Sequence, residues 1–249
     1  MLEIEEQQKT EQNERREAKD FWFYNDPVYN LCINLSYLNS SEEEAFGSIL
    51  TQDIDGVKTI ASVGWNMFVG GVTNMKRQGY SNHAEFQSTI LAQALGYDVS
   101  NPEIPTHIYS AGRLIKSNLL FLHPEGHQFS CTRCTGAIGK INPNIHIVTP
   151  SAKYGWMDSP LTKAHESSLK FKQNGVKRDK SLDTNVSISG LNLQKTQYGM
   201  NEIIYRVEQN GLVIDEVIKE AILGQYEYLL KLPIQERRAF IENIFGSLL

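Results

Sequence analysis

His83-Ala84-Glu85 and, well along the chain, Cys131-Thr132-Arg133-Cys134 constrain the fold more than any other feature. Together they offer three zinc ligands and one carboxylate that is not a ligand. A neutral imidazole and two thiolates suit a tetrahedral zinc, and three protein ligands leave the fourth position to water, as a catalytic site requires and a structural site does not. Any fold open to this chain must therefore bring two distant segments to one point. Glu85, on the same segment as the histidine, is then placed to handle protons.

Taken singly, the fragments carry different weight. His-x-Glu alone is weak, because an isolated histidine is more often a satisfied core or surface residue than a ligand. Cys-x-x-Cys is stronger: the chain has 3 cysteines, and two at this spacing favour a metal or redox site over a structural disulfide. The strand-to-helix setting of a thioredoxin-like redox unit is not evident, whereas the upstream His83 completes a zinc site. Cys32, in the apolar run Leu31-Cys32-Ile33, reads as a small buried hydrophobe. His123 and His127, just ahead of the cysteines, form a rival set that would hold a second metal or gate a pocket, set against a Pro-Gly loop exposing histidines with no task.

The segments around these motifs read as alternating strands and helices. Ser48 to Thr51 and Lys58 to Val63 form a hairpin about a turn at Asp53-Ile54-Asp55-Gly56. Asp26 caps a helix that opens on Pro27 and presents Val28, Leu31, Cys32, Leu35 and Leu38 on one face. Phe21 to Tyr24 read as core or oligomer contacts rather than as a platform for a base. A second helix is expected to start near Ser81-Asn82, either of which can cap it, and to bury Phe86, Ile90, Leu91, Ala94 and Leu95 before Gly96 ends it. Ser130 is the expected N-cap of a third. Two helix N-termini would then converge on the metal, their dipoles favouring thiolates and a more acidic bound water.

The joint pattern of His-x-Glu and a later Cys-x-x-Cys is the signature of zinc deaminases. Gly64-Trp65-Asn66, at the end of the second strand, resembles the Gly-Tyr-Asn segment ahead of the histidine motif in deoxycytidylate deaminases. After the cysteines, Ala137 to Ile141 continue a helix and Asn144 to Val148 read as a strand, again as in that family. The resemblance covers about residues 25 to 178. It implies an α/β fold, a three-layer α/β/α sandwich of the cytidine deaminase type with a central mixed sheet. It further implies a Zn²⁺ cofactor on His83, Cys131 and Cys134, with Glu85 as the catalytic proton carrier. By the same resemblance Asn66 holds the sugar, while the amide of Ala84 and the carbonyl of Ser130 orient the base. The implied reaction is hydrolytic deamination of a cytosine nucleotide, deoxycytidylate-like, to the uracil nucleotide and ammonia, the alternatives being a deaminase of a base in single-stranded DNA or RNA or of another amino-heterocycle, and an inactive scaffold of the same fold. Three departures stand out: Ser130 where the family usually has proline, Met67 in place of a common glycine, and an apparent insertion from about Arg113 to Phe129.

Composition bears on partners and compartment. No stretch has the apolar length of a membrane span, and the acidic, polar start from Met1 to Glu6 lacks the pattern of an export signal, so the cytoplasm is expected. The net charge of −5 and a pI near 5.7 argue against a partner made of long nucleic acid, whose phosphates call for Lys and Arg. Lys163, Lys170, Lys172, Lys177, Arg178 and Lys180 would be the basic face for a single-stranded substrate, against the alternative of a solvated helix followed by a loop. A small-molecule nucleotide is thus the expected partner, with homo-oligomers expected as well. Three segments are anticipated: a charged tail or helix over 1–20, a deaminase domain over 21–178, and a polar linker with a helical extension over 179–249. Tyr154-Gly155-Trp156 read as the last loop of that domain and Ser168 to Val176 as its last helix. In the extension, Val213 to Leu230 suit one amphipathic helix, and Pro233 starts another with Phe240, Ile241, Ile244 and Phe245.

Overall fold

The computed structural model describes residues 22–38, 44–68, 81–114, 120–121, 130–151, 154–173, 199–233 and 236. The 1–20 tail, Phe21, His123, His127, most of the proposed insertion, the 179–198 stretch and the last helix fall outside the described residues.

Asp55 and Gly56, with φ of 54° and 78°, close the first hairpin. Two consecutive residues with positive φ are what a type I′ turn needs. Strands β1 (Glu44–Ile54) and β2 (Val57–Trp65) pair antiparallel from Ile54↔Val57 to Gly47↔Trp65, with a bulge at Leu50/Thr51. The turn is therefore shorter than the four residues expected, because Asp53 and Ile54 are paired strand residues. After Asn66, β3 (Met67–Phe68) pairs with β4 (Ser81–Asn82).

β5 (Thr106–Leu114) lies antiparallel to β1 and carries the short β6 (Leu120–Phe121) on its end. Arg113, near which the apparent insertion was expected to begin, is a ladder residue opposite Ala45. β7 (His146–Ser151) runs parallel to β5, and β8 (Gly155–Pro160) returns antiparallel beside it. Gly155 and Trp156, expected in a loop, begin this edge strand, with Tyr154 in the turn before it. β9 (Val213–Ile214) pairs in parallel with β2, giving a mixed seven-stranded sheet of order β8-β7-β5-β1-β2-β9, with β6 off that path.

Alternation along the strands sends Ile49, Ile60 and Val63 to one face and Leu50, Ala61, Ile108 and Ile147 to the other. On the first face lie α1 (Trp22–Asn25) and α2 (Pro27–Ser36). Asp26 caps α2 by accepting the Tyr29 amide at 2.7 Å, as expected. The second face is covered by α3 (Ala84–Ala94), α4 (Thr132–Ile141) and α5 (Leu161–Gln173). Finally α6 (Met200–Gln209) and α7 (Glu216–Lys231) return to the first face. Helices on both faces of a mixed sheet make the three-layer α/β/α sandwich.

The chain's end changes two expectations. Every residue of α2 is buried, not one stripe, because α6 packs over its outer side with Met200, Ile203, Ile204 and Val207. Val213 and Ile214 form a strand, not the first turn of a helix. Asp215 interrupts them, its carboxylate accepting the amides of Val217 and Ile218 at 2.9 and 3.3 Å to cap α7. Tyr97 donates to the other oxygen of Asp215 at 2.5 Å, and Tyr226 reaches the backbone and side-chain oxygens of Asn34 at 3.1 and 3.0 Å. Trp22 and Phe23 pack with Tyr29, and Trp22 with Trp156 as well, so the opening aromatics serve the core.

Candidate metal centre

Small residues on the sheet let α3 approach it closely. A Cβ at Gly64 of β2 would collide with the carbonyl of Ala84 and come within 2.7 Å of the Ser88 amide. Polar contacts then fix the helix start. Ser48 donates to the Ala84 carbonyl at 2.6 Å, Ser62 donates to the Ser88 carbonyl at 2.5 Å, and Asn66 Oδ1 accepts the Ala84 amide at 3.1 Å. His83 is the N-cap in extended conformation, without a cap bond of its own. Ser81 and Asn82, expected to cap, are committed to β4, and Asn66 serves the first helix amide from across the chain.

This seating also corrects the expected buried face of α3. Ala84, Glu85, Gln87, Ser88, Thr89, Leu91 and Ala92 are buried, whereas Phe86 and Ile90 are half-buried and Ala94 is exposed. A helix held against a strand glycine leaves room for small and polar side chains there, not for large ones.

Cys131, not Ser130, is the N-cap of α4, and its sulfur accepts the Cys134 amide at 3.3 Å. Ser130 is otherwise engaged. Its hydroxyl donates to Glu85 Oε1 at 3.2 Å, and its carbonyl accepts the hydroxyl of Ser168 on α5. Thr135 and His165 link α4 to α5 at 2.7 Å. All seven residues expected at the site therefore gather in one place: His83, Cys131 and Cys134 as a ligand group, Glu85 with Ser130 beside it, and Asn66 bonded to Ala84.

The donor atoms fit one ion. Cys131 Sγ lies 3.2 Å from His83 Nδ1 and 3.4 Å from Cys134 Sγ, and the donor atoms of all three residues fall within 4.8 Å of one another. Around a tetrahedral zinc the corresponding edges are about 3.6 Å for S···N and about 3.8 Å for S···S. A spread of a few tenths of an ångström would admit the ion. Both cysteines are free thiols, and His83 presents Nδ1 as its ligand atom.

Electrostatics prepare the same set. The hydrogen bond from the Cys134 thiol, helped by His83 and opposed by burial, holds the Cys131 thiol down at about 4. Cys134, donating that bond and buried, is pushed well above the ordinary thiol range. The bond to Cys131 raises His83 against the pull of burial. Burial raises the Glu85 carboxyl, with His83 opposing. A buried carboxyl shifted upward toward neutrality is suited to accept and return protons.

Gly64, marked in the sequence only as part of Gly64-Trp65-Asn66, supports the site by its missing side chain, and Ser48, Ser62, Ser88 and Ser168 support it although no motif marks them. Their available signal was the small or hydroxylated residues where strand and helix faces ordinarily carry large apolar ones. No membrane-spanning helix occurs among the described residues.

No family model and no curated protein sequence matches the chain. Among solved structures it is similar to a cytidine deaminase from Burkholderia pseudomallei, at 19% sequence identity and a TM-score of 0.32, over 49% of this chain and 78% of that one.

Proposed function

We propose that the chain is a zinc-dependent hydrolase that deaminates a cytosine nucleotide, of the deoxycytidylate class, to the uracil nucleotide and ammonia. The observation that carries this reading is Glu85, a carboxylate 6% exposed at the rim of the His83, Cys131 and Cys134 group yet outside the ligand set. A metal needed only for folding gives no reason to bury a non-ligand carboxylate beside it.

Zinc on these three ligands would supply a Lewis acid that makes water nucleophilic at neutral pH. Glu85 would take the two protons of the attacking water in turn, passing the first to the ring nitrogen next to the reacting carbon and the second to the departing amine. The carbon–oxygen bond forms first, as the ring C=N electron pair moves to the protonated nitrogen, and the bond from carbon to the exocyclic nitrogen then breaks, its pair leaving with ammonia as the carbonyl forms. Ser130 holds Glu85 Oε1 in place through its hydroxyl. Its carbonyl, one lone pair of which accepts Ser168, keeps a second for the exocyclic amine. The Ala84 amide is spent on Asn66, so Ala84 serves by its small side chain, which leaves space for the ring. Asn66, bonded to the first residue of α3, is assigned to the sugar on the strength of Gly64-Trp65-Asn66.

The test is a panel of cytosine and adenine nucleosides, their phosphates and short single strands, incubated with zinc-loaded protein and read by ammonia release. Cytosine nucleotides should react, and Glu85→Gln should slow the reaction by about 10²–10⁴-fold while zinc content stays unchanged. Release from oligonucleotides alone would move the substrate to nucleic acid, and silence across the panel would reject the reaction.

A further inference from the structure

We propose a second divalent-metal site of the zinc class, on the opposite face of the sheet, held by His107, His146 and Asp158. Ile108 and Ile147 point into the layer that contains Cys134, so His107 and His146, their strand neighbours, point the other way. The parallel ladder places His107 directly beside His146, and Asp158 of β8 stands opposite Val148, whose side chain shares the face of His146. Three adjacent strands therefore each contribute one ligand at one spot, and the donor atoms all lie within 4.8 Å of one another.

The spacing suits an ion. His146 Nδ1 is 2.7 Å from one Asp158 oxygen and His107 Nε2 is 3.7 Å from the other. These values bracket the N···O edge of about 3.4 Å around a tetrahedral zinc with imidazole and carboxylate ligands. The two ring centroids are 5.2 Å apart. Two imidazoles bound to one tetrahedral ion at the usual Zn–N distance place their centroids about 5 Å apart. A lone histidine–carboxylate hydrogen bond calls for one imidazole, whereas here two face a single carboxylate.

Access and charge agree with this. The side chains of His107, His146 and Asp158 are 23%, 38% and 48% exposed, so an ion can enter and keep water in its remaining positions. Lys58, whose charge acts on His107 and is opposed there by Asp158 and Asp53, is directed to the Tyr109 hydroxyl at 2.6 Å. Two imidazoles and one carboxylate are a donor set for zinc, nickel, copper or iron and a poor one for calcium or magnesium, which prefer all-oxygen ligands. The bound ion would tie β5, β7 and the edge strand β8 together.

The experiment is metal analysis of the stripped full chain after equilibration with zinc, then with cobalt, comparing wild type with His146→Asn and Asp158→Asn. Thiolate-bound cobalt gives a near-ultraviolet charge-transfer band that a nitrogen–oxygen site does not, so the two centres are read separately. Wild type should hold two equivalents, and each variant should lose one while keeping the thiolate band. One equivalent without that band, lost in His146→Asn, would support this site while removing the other. A single equivalent with the thiolate band, unchanged in both variants, would overturn the proposal. Because both substituted side chains are partly exposed, near-native circular dichroism is expected of the variants, and zinc should raise the Tm of wild type more than theirs.

Discussion

At the scale of the residue, four side chains were legible in the sequence because their chemistry attaches to residue type and spacing. His83, Glu85, Cys131 and Cys134 come together as expected, with Glu85 outside the ligand group. What spacing does not show is how protons are distributed among them. With its thiol held down at about 4, Cys131 is a thiolate at neutral pH, while Cys134 keeps its proton and donates it. The sign follows from linkage: a depressed folded value stabilises the protein above the ordinary thiol range, and that contribution is lost as pH falls through about 4. In metal-free protein, alkylation of Cys131, mapped by mass spectrometry, should therefore stay fast down to about pH 4 to 5 and titrate far below Cys134. A Cys131 profile centred in the ordinary thiol range would contradict this arrangement. Cys134, which keeps its proton in the metal-free protein, must give it up to ligate as a thiolate, so zinc uptake should acidify an unbuffered solution.

At the scale of the element, the sequence located the strands and helices better than it located their ends. Ser81 and Asn82 have the side chains of good caps, but pairing with Met67 and Phe68 commits their backbone to a strand. The cap then passed to His83, and its usual hydrogen bond to Asn66, a substitution that no local pattern could reveal. Gly64 is the clearest case of an element specified by something absent. Gly64→Ala drives a methyl group into the Ala84 carbonyl and the Ser88 amide, both of them backbone atoms. We expect it to cost about 1–3 kcal/mol in denaturant unfolding, the usual range for overpacking. Zinc affinity should fall with it, because the displaced element carries both His83 and Glu85. A variant with wild-type midpoint and wild-type zinc content would mean that α3 has slack at its start.

At the scale of the whole molecule, the C-terminal elements were the least legible part. α6 falls between the polar stretch and the helix expected from Val213, where no element was anticipated, since its Met200, Ile203, Ile204 and Val207 recur among Asn, Glu, Gln and Arg. The surface they cover, the outer side of α2, lies far away in sequence, so the full burial of α2 has no local signature. The layered sheet, by contrast, is what the family resemblance carried by the metal motif and its flanks implied. Because α6, α7 and β9 share one apolar cluster with α2, β1 and β2, unfolding should be a single cooperative event. Ile204→Ala, at a position 2% exposed, should lower stability by about 2–5 kcal/mol and shift the whole transition. A separate early transition confined to the C-terminal helices would show instead that they fold independently.

The seating of both ligand segments at helix starts has a consequence for biosynthesis. Neither His83 nor the cysteine pair lies on the strands that bring them together, so emergence of Cys134 from the ribosome completes the ligand list without completing the site. β7 must still pair with β5, and α5 must arrive with Ser168 to engage the Ser130 carbonyl. On the proposed reading, metal capture would thus be a late event in the life of the nascent chain, and zinc content would record how many molecules finished folding.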